Sequence, residues 1–544
     1  MRAGQPPAPA ATSPAVAVRT PWLALAAIVA LAALLRFATL RTQSIWFDEA
    51  ATWQLMRLPF GDLLHHVARQ ESSPPLFYVL EWGWTHVFGT RAGGLRSLSA
   101  LAGTLTVPVA YAIGARLAGP RAGAPAPEEA TPAAQREAPA TSTRHAREPG
   151  SAGGQLTFAT PQRAGLATAA LVAVNPLLVW FSQEARAYAL VVLLSAGALL
   201  MLLRACDEPG RARWLAWWAV LGALALATHY FAAFVLVPQA AWLAWRHPRR
   251  RAALAAGGAF AAAGAALLPL LVEQHRNPYD IAGESLALRI VQVPKQFLLG
   301  YRGPAPLAFG LAGAALALGA AWLLARRVEP RARRRALGVA AIGALGIVLP
   351  VAAAALGADY LNARNALPAL VPLAAALGVA CAASRPARLG LGLLAALCGL
   401  SLAIVVAVAA DQRYQRADWA GLARALGRGD GPRALVISPA NGETALRFYR
   451  PGLTTLPAAG AAVREVDVVG VAGSTSPGGG ATLPAQLGSA LAVAGFGPPQ
   501  RTAAGTYELL RFRAPRPVPV TPQPLAAVRF SPQLPSVDLL PAGR

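Results

Sequence analysis

Two adjacent carboxylates, Asp48 and Glu49, stand among Trp46, Phe47 and Trp53 in the run QSIWFDEAATW. Just before them, PWLALAAIVALAALLRFATL at 21–40 reads as a membrane-spanning helix. Neighbouring like charges beside a low-dielectric wall repel each other and lose hydration. Both are therefore costly unless a cation, a hydrogen-bond donor or a function compensates. The chemistry such a pair offers is proton acceptance from a hydroxyl, or the holding of a cation.

The chain that carries them is strongly apolar. Of 544 residues 55% are hydrophobic and only 14% charged, more apolar surface than a soluble core of this size can bury. This predicts an all-α polytopic membrane protein. The net charge of +24 does not point to nucleic acid, because the arginines fall in short blocks between apolar segments, RHPRRR at 246–251, RRVEPRARRR at 326–335 and RPAR at 385–388. That is the pattern of cytoplasmic loops. Apart from Lys295 every basic residue is arginine, and with abundant Ala, Gly and Pro this suggests a bacterial, GC-rich source. Cys206, Cys381 and Cys398 lie in or beside apolar segments without metal-ligand spacing and read as small buried hydrophobes.

Apolar runs of spanning length give about eleven transmembrane helices, at about 21–40, 97–118, 164–181, 187–204, 214–228, 230–245, 252–272, 304–325, 336–356, 366–383 and 389–410. A further apolar piece, PPLFYVLEWGWTHVFG at 74–89, reads as an interfacial helix. If it crossed, the later arginine blocks would face outward, and Glu81 and His86 would sit in hydrocarbon. Residues 1–20 read as a disordered cytoplasmic tail and 119–162 as a disordered cytoplasmic insert. The first spans occupy 21–118, with an outer loop at 41–96, and the remaining spans 163–410. Residues 411–515 read as a small extracytoplasmic α/β domain, and 516–544 as a Pro-rich tail, extended or disordered.

That topology places the polar residues a membrane protein should avoid on one face. Asp48, Glu49 and Glu71 fall there, with Gln183, Glu184, Arg186 and Tyr188 of WFSQEARAY, then His229 and Tyr230, Lys295 and Arg302, and Asp359, Asn362, Arg364 and Asn365 of ADYLNARN. Acids and arginines at helix ends often only snorkel to water, and His229, Arg302 and Asp359 taken singly fit that reading. The coincidence of the whole set on one face reads as a site.

The runs SIWFDEA, SPPLFYVLEWGWTHVFG, GLRSLSALAGTLTVPVAYAIGARLAG and NPLLVWFSQEARAYAL, in this order, resemble the N-terminal module of GT-C glycosyltransferases. The likeness is to the dolichyl-phosphate-mannose–protein mannosyltransferase-like group (glycosyltransferase family 39) and to the lipid A aminoarabinose transferases. It covers about 20–245, with a weaker echo in DYLNARNALPALVPLAAALG. The resemblance implies transfer of a sugar, mannose or another hexose or pentose, from a polyprenyl-phosphate carrier. The acceptor would be an extracytoplasmic protein, lipid or glycan, and the site would lie outside the bacterial plasma membrane. It makes Asp48 the general base, with Glu49 beside it, and sets Glu71 near a second acid. Ser73 departs from the family, which usually has a basic or imidazole residue before Pro-Pro-Leu. A leaving phosphate needs fixed positive charge, for which Arg186, Lys295 and Arg364 are the outward candidates. Displacement by a single base implies inversion. The cofactor expectation is none beyond, at most, a divalent cation. A transporter or lipid flippase is the alternative, but its charges should lie near mid-bilayer in repeated halves. A non-catalytic scaffold would not need the acidic pair.

Overall fold

The computed structural model describes residues 21–119, 160–275, 285–383, 386–471, 495–504, 506–527 and 535–542. The expected N-terminal tail and nearly all of the Pro/Ala insert lie outside them. Helix α1 (Trp22–Phe37) is followed by three short helices, α2 (Phe47–Met56), α3 (Phe60–Gln70) and α4 (Leu76–Phe88), and then the long α5 (Ala92–Ala118). The bundle continues with α6 (Thr160–Val174), α7 (Pro176–Ser182), α8 (Tyr188–Asp207), α9 (Arg213–Thr228), α10 (Ala233–Arg246) and α11 (Arg250–Gln274). It is completed by α12 (Leu286–Leu299), α13 (Pro306–Arg327), α14 (Pro330–Ala355), α15 (Leu370–Ala383) and α16 (Ala387–Ala410).

Six of these helices, α5, α8, α11, α13, α14 and α16, are long and apolar enough to cross a bilayer. The pair α6 and α7, bent by 59°, would make a seventh, and α1, α9 and α15 are shorter apolar helices. The chain is a multi-pass membrane protein. Leu23, Leu34, Leu307 and Leu318 stand outward on the bundle, where lipid replaces water as the solvent for leucine. Small residues let helices approach closely. A Cβ on Gly114 would come within 2.2 Å of Thr168 Oγ1, and one on Gly378 within 2.3 Å, so α5 and α15 sandwich α6 where only glycine fits.

The 74–89 segment forms α4, which buries Phe77, Tyr78, Glu81 and Thr85 along one stripe and leaves Val87 and Phe88 outward. At the opposite end of the bundle Asp207 pairs with Arg116 at 3.2 Å and Arg335 at 2.7 Å, tying α5, α8 and α14 together.

After α16 the chain builds a six-stranded sheet with order β2-β6-β1-β3-β5-β4. Its elements are α17 (Trp419–Leu426), β1 (Arg433–Ser438), α18 (Gly442–Tyr449), β2 (Thr454–Thr455), β3 (Ala461–Val471), β4 (Gln500–Ala504), β5 (Tyr507–Val520), α19 (Pro522–Ala526) and β6 (Ser536–Leu540). Strands β1 and β3 run parallel, and the other pairs are antiparallel. The strand period of two divides β1 between two cores. Ala434 and Val436 join Val466, Val468 and Phe512 on one face, while Leu435 and Ile437 join Trp419, Leu422 and Leu446 on the other.

The region read as a Pro-rich tail is corrected here. Strand β5 runs through RAPRPVPV to Val520, with its prolines on the length beyond Arg513, and β6 returns to lie between β2 and β1. Ser536 to Leu540 lacks proline and so retains every backbone N–H a central strand needs. The domain therefore extends to residue 540. Its second core also contains Ile45 and Ala50, which come from the loop and helix between α1 and α3.

Candidate active site

Helix α2 is ten residues long and carries both carboxylates in its first turn, where the helix dipole favours negative charge. The two side chains have different surroundings. Glu49 is fully buried and takes two 2.6 Å hydrogen bonds from Arg96 Nε and Nη2. It also accepts from Ala185 N–H at 3.1 Å and, more loosely, from Trp46 N–H at 3.4 Å. Arg96 spends its remaining donors on the carbonyls of Leu40, Gln43 and Ser44, at 2.7–2.9 Å. The Arg96 guanidinium and its hydrogen bonds hold the Glu49 carboxyl below the usual range against a strong desolvation cost. Glu49, expected beside the base, is thus consumed in fixing α2 to α5, and no lone pair is left for a substrate.

Asp48, one residue earlier, is buried to 6% exposure and pairs with Arg364 Nη1 at 3.4 Å. Behind it Arg186 reaches both oxygens of Glu71 at 3.3–3.4 Å, and Tyr78 donates to Glu71 at 2.7 Å. Arg186 also lies over the Tyr78 ring, 5.7 Å from its centroid. Asp48 and Glu71 both act electrostatically on Arg186, and Asp48, Arg186 and Arg364 all act on Tyr188. The sequence-predicted Asp48, Glu71, Arg186, Tyr188 and Arg364 therefore share one cluster.

The loop between α7 and α8 assembles this cluster. Gln183 donates its amide to Leu35 O, Arg36 O and Thr39 Oγ1, at 2.6–3.2 Å, closing the end of α1. Glu184 meets Arg416 at 2.9 Å, Ala185 donates to Glu49, and Arg186 reaches Glu71. Tyr188 packs on Phe181 and His229. Burial, opposed by Arg416 and reinforced by Glu49 and Asp48, pushes the Glu184 carboxyl up to about 7. Gln183 and Glu184, expected to bind substrate, hold the end of α1 and Arg416, while Glu184 Oε1 is buried with no hydrogen-bond partner among the described residues.

The loop can approach at this angle because Pro176 breaks the α6–α7 helix. A proline ring removes a donor and frees carbonyls of the preceding turn. Arg36, fully buried, supplies the missing donors, to Ala173 O at 2.8 Å, Val172 O at 3.2 Å and Ser182 Oγ at 3.2 Å. Gly103 makes room, since a Cβ there would fall 2.0 Å from Ser182 Oγ.

The other expected residues divide as follows. His229 lies near Arg186 and Arg364, and burial first, with those two cations adding, holds its imidazole down to about 3. It is uncharged at neutral pH and accepts from Phe231 N–H at 3.3 Å, so it offers the cluster a neutral ring. Its unfolded value is near 6.5, so stability present above that value is lost as pH falls from about 6.5 towards 3. Melting temperatures measured between pH 7 and 4 are expected to fall less steeply in His229→Gln than in the parent. Parallel curves would remove this assignment.

Tyr230 donates to Gln274, whose amide holds the carbonyls of Val67 and Ser73. It supports the α3–α4 connection rather than the cluster. Lys295 is exposed on α12, and no hydrogen bond or ion pair joins it to the cluster. Asp359 is paired with Arg289, and Arg302 donates to Gln415 O. Arg36, Arg96 and Arg416 were not singled out from the sequence. Arg36 and Arg96 stand in apolar or weakly polar runs that read equally well as helix ends, and Arg416 in a polar run, DQRYQRAD, where one more arginine carries no signal. Among the described residues no group of three or more His, Cys, Asp or Glu is placed to hold a metal ion.

Residues 156–273 match the family model described as dolichyl-phosphate-mannose-protein mannosyltransferase. Among solved structures, ArnT from Cupriavidus metallidurans in the apo state superposes with a TM-score of 0.52 at 12% identity, over 90% of this chain and 97% of that one. ArnT bound to undecaprenyl phosphate gives 0.49 at 13% identity, over 90% and 98%. The archaeal oligosaccharyltransferase AglB from Archaeoglobus fulgidus, in complex with an inhibitory peptide and a dolichol-phosphate, gives 0.43 at 12% identity, over 74% and 57%. No curated protein matches the chain in sequence. The chain is thus similar in fold to ArnT, and its residues 156–273 are similar in sequence to the dolichyl-phosphate-mannose-protein mannosyltransferase model.

Proposed function

We propose that the chain is a membrane glycosyltransferase that moves a sugar, mannose or another hexose or pentose, from a polyprenyl-phosphate carrier to an extracytoplasmic protein, lipid or glycan, at the outer face of a bacterial plasma membrane. The observation that carries this reading is the Asp48 carboxylate, set against Arg364 with Arg186 behind it, at the bundle end that bears the C-terminal domain. The family segment, described by a dolichyl-phosphate-linked sugar, supports the donor class.

In the proposed step the acceptor hydroxyl gives its proton to Asp48 as its oxygen bonds to the anomeric carbon. The bond from that carbon to the phosphate oxygen breaks, and the polyprenyl phosphate leaves with the electron pair. Attack opposite the leaving group inverts the centre. The released phosphate needs fixed cations in a site of low dielectric, and two guanidiniums supply them with a geometry that grips phosphate oxygens in pairs. Arg364 holds Asp48 only at 3.4 Å and is itself partly exposed, so a phosphate can compete for it. The donor's hydrocarbon stays in the bilayer while its head reaches the cluster, which explains a site built at the membrane edge. The Asp48, Arg364 and Arg186 cluster lies at a helix end rather than at mid-span, which does not suit a transporter.

The test uses reconstituted protein with a polyprenyl-phosphate sugar. Arg364→Ala and Arg186→Ala are each expected to raise the donor KM by about tenfold or more, the loss of one charge-assisted contact of roughly 1.5–3 kcal/mol. Arg364→Lys should restore part of it. An unchanged donor KM in both alanine variants would take the phosphate away from this pair.

A further inference from the structure

Both flanks of Asp48 are held by residues more than 360 positions later in the chain. Ile45 donates its N–H to Tyr449 Oη at 2.7 Å. Ser44 Oγ donates to Asp418 at 2.8 Å and accepts from Ala420 N–H at 3.1 Å. Five residues beyond Asp48, Trp53 meets Phe448 edge-on at 5.2 Å. Ile45 and Ala50 fill the same core as Trp419, Leu435 and Ile437, so one side of α2 lies in the interior of the sheet domain.

A second strut runs from the same domain edge. Arg416, nearly buried, bonds Gln43 Oε1 at 3.1 Å and Glu184 at 2.9 Å, and lies over Trp180 at 4.4 Å. It joins the segment before α2 to the loop that carries Arg186. A ten-residue helix has little stability of its own, so its position is set by what it packs against.

We propose that the C-terminal domain is a positioning element of the transfer centre, with Tyr449 and Arg416 as its positioning residues. The domain fixes where Asp48 stands relative to Arg364 and Arg186; it does not touch the reacting atoms. This rests on the reading of Asp48 as the proton acceptor. Misplacement of a reacting group by about 1 Å costs on the order of 100-fold in rate. Loosening α2 should therefore be read in kcat and not in donor binding.

The experiment uses the full chain in lipid nanodiscs with two variants, Tyr449→Phe and Arg416→Lys. Tyr449→Phe deletes one oxygen, and Arg416→Lys keeps the charge facing Glu184 while losing the forked contacts to Gln43 and Trp180. Transfer is measured per folded molecule. In parallel, Phe47→Cys is labelled with a polar maleimide in the parent and in each variant background, with Cys206, Cys381 and Cys398 replaced by serine. The expected result is a kcat lower by about tenfold in Tyr449→Phe and by about 100-fold in Arg416→Lys, a donor KM within about twofold of the parent, and faster labelling at position 47.

A kcat at the parent level overturns the proposal, whatever the labelling shows. So does a fall in kcat with unchanged labelling, or a rise in donor KM without a fall in kcat. Labelling follows α2 without any assumption about chemistry. If it quickens while the Asp48→Asn protein keeps full transfer activity, the fault lies with the reading of Asp48 as base.

Discussion

Asp48→Asn is expected to reduce transfer by about 10²- to 10⁴-fold, the usual worth of a positioned proton acceptor. The fold should survive. The Asp48–Arg364 pair is long, at 3.4 Å, and the substitution leaves an acceptor facing Arg364, so the fold should lose little. Asparagine keeps the shape and can still accept a bond from Arg364 Nη1, but it cannot hold the acceptor's proton. The measurement is single-turnover transfer from a polyprenyl-phosphate sugar at saturating donor, with melting temperature followed in parallel. Donor binding should change little, because the phosphate is assigned to the guanidiniums. Parent-level turnover in Asp48→Asn would dismiss Asp48 from the chemistry.

Arg96→Met is expected to act in the opposite manner, on the fold first. Removing one partner of a buried ion pair costs about 3–5 kcal/mol, because the other charge is left without compensation. Glu49 would retain only two backbone N–H donors, and the carbonyls of Leu40, Gln43 and Ser44 would lose theirs. Burial should then drive Glu49 to take up a proton. The check is thermal unfolding in detergent followed by tryptophan fluorescence, with Asp48→Asn as the control. A melting point for Arg96→Met as high as that of Asp48→Asn would mean the pair does not anchor α2. Taken together, the two variants separate neighbouring acids that look equivalent in the sequence.

That separation marks how far the sequence could be read. Length and hydropathy marked the chain as helical and multi-pass, since a bilayer imposes long apolar runs, but did not mark α2, α3 or α12 between them. Asp48 was conspicuous because two acids beside tryptophans are costly. The division of labour between Asp48 and Glu49 was not legible, because it depends on Arg96, 47 positions away, turning its donors towards one acid and not the other. Gln183 and Glu184 looked like ligand-binding groups for the same reason. Their partners, the end of α1 and Arg416, are 144–148 and 232 positions distant. Strand β6 was missed because proline-rich surroundings mask a five-residue strand whose pairing is entirely long-range. The participation of α2 in the domain core could not be seen from local pattern at all. Ile45 and Ala50 lie in the run read as an outer loop, and only the folded sheet shows them in its core.

The place of β6 inside the sheet has a consequence for biogenesis. Residues 536–540 leave the ribosome after all the bundle helices have been threaded, yet the sheet stays open between β2 and β1 until they arrive. A nascent chain can thus be fully inserted while the surface that cradles α2 is still unfinished. Chains released early would carry the helical bundle without the finished core that holds Ile45 and Ala50.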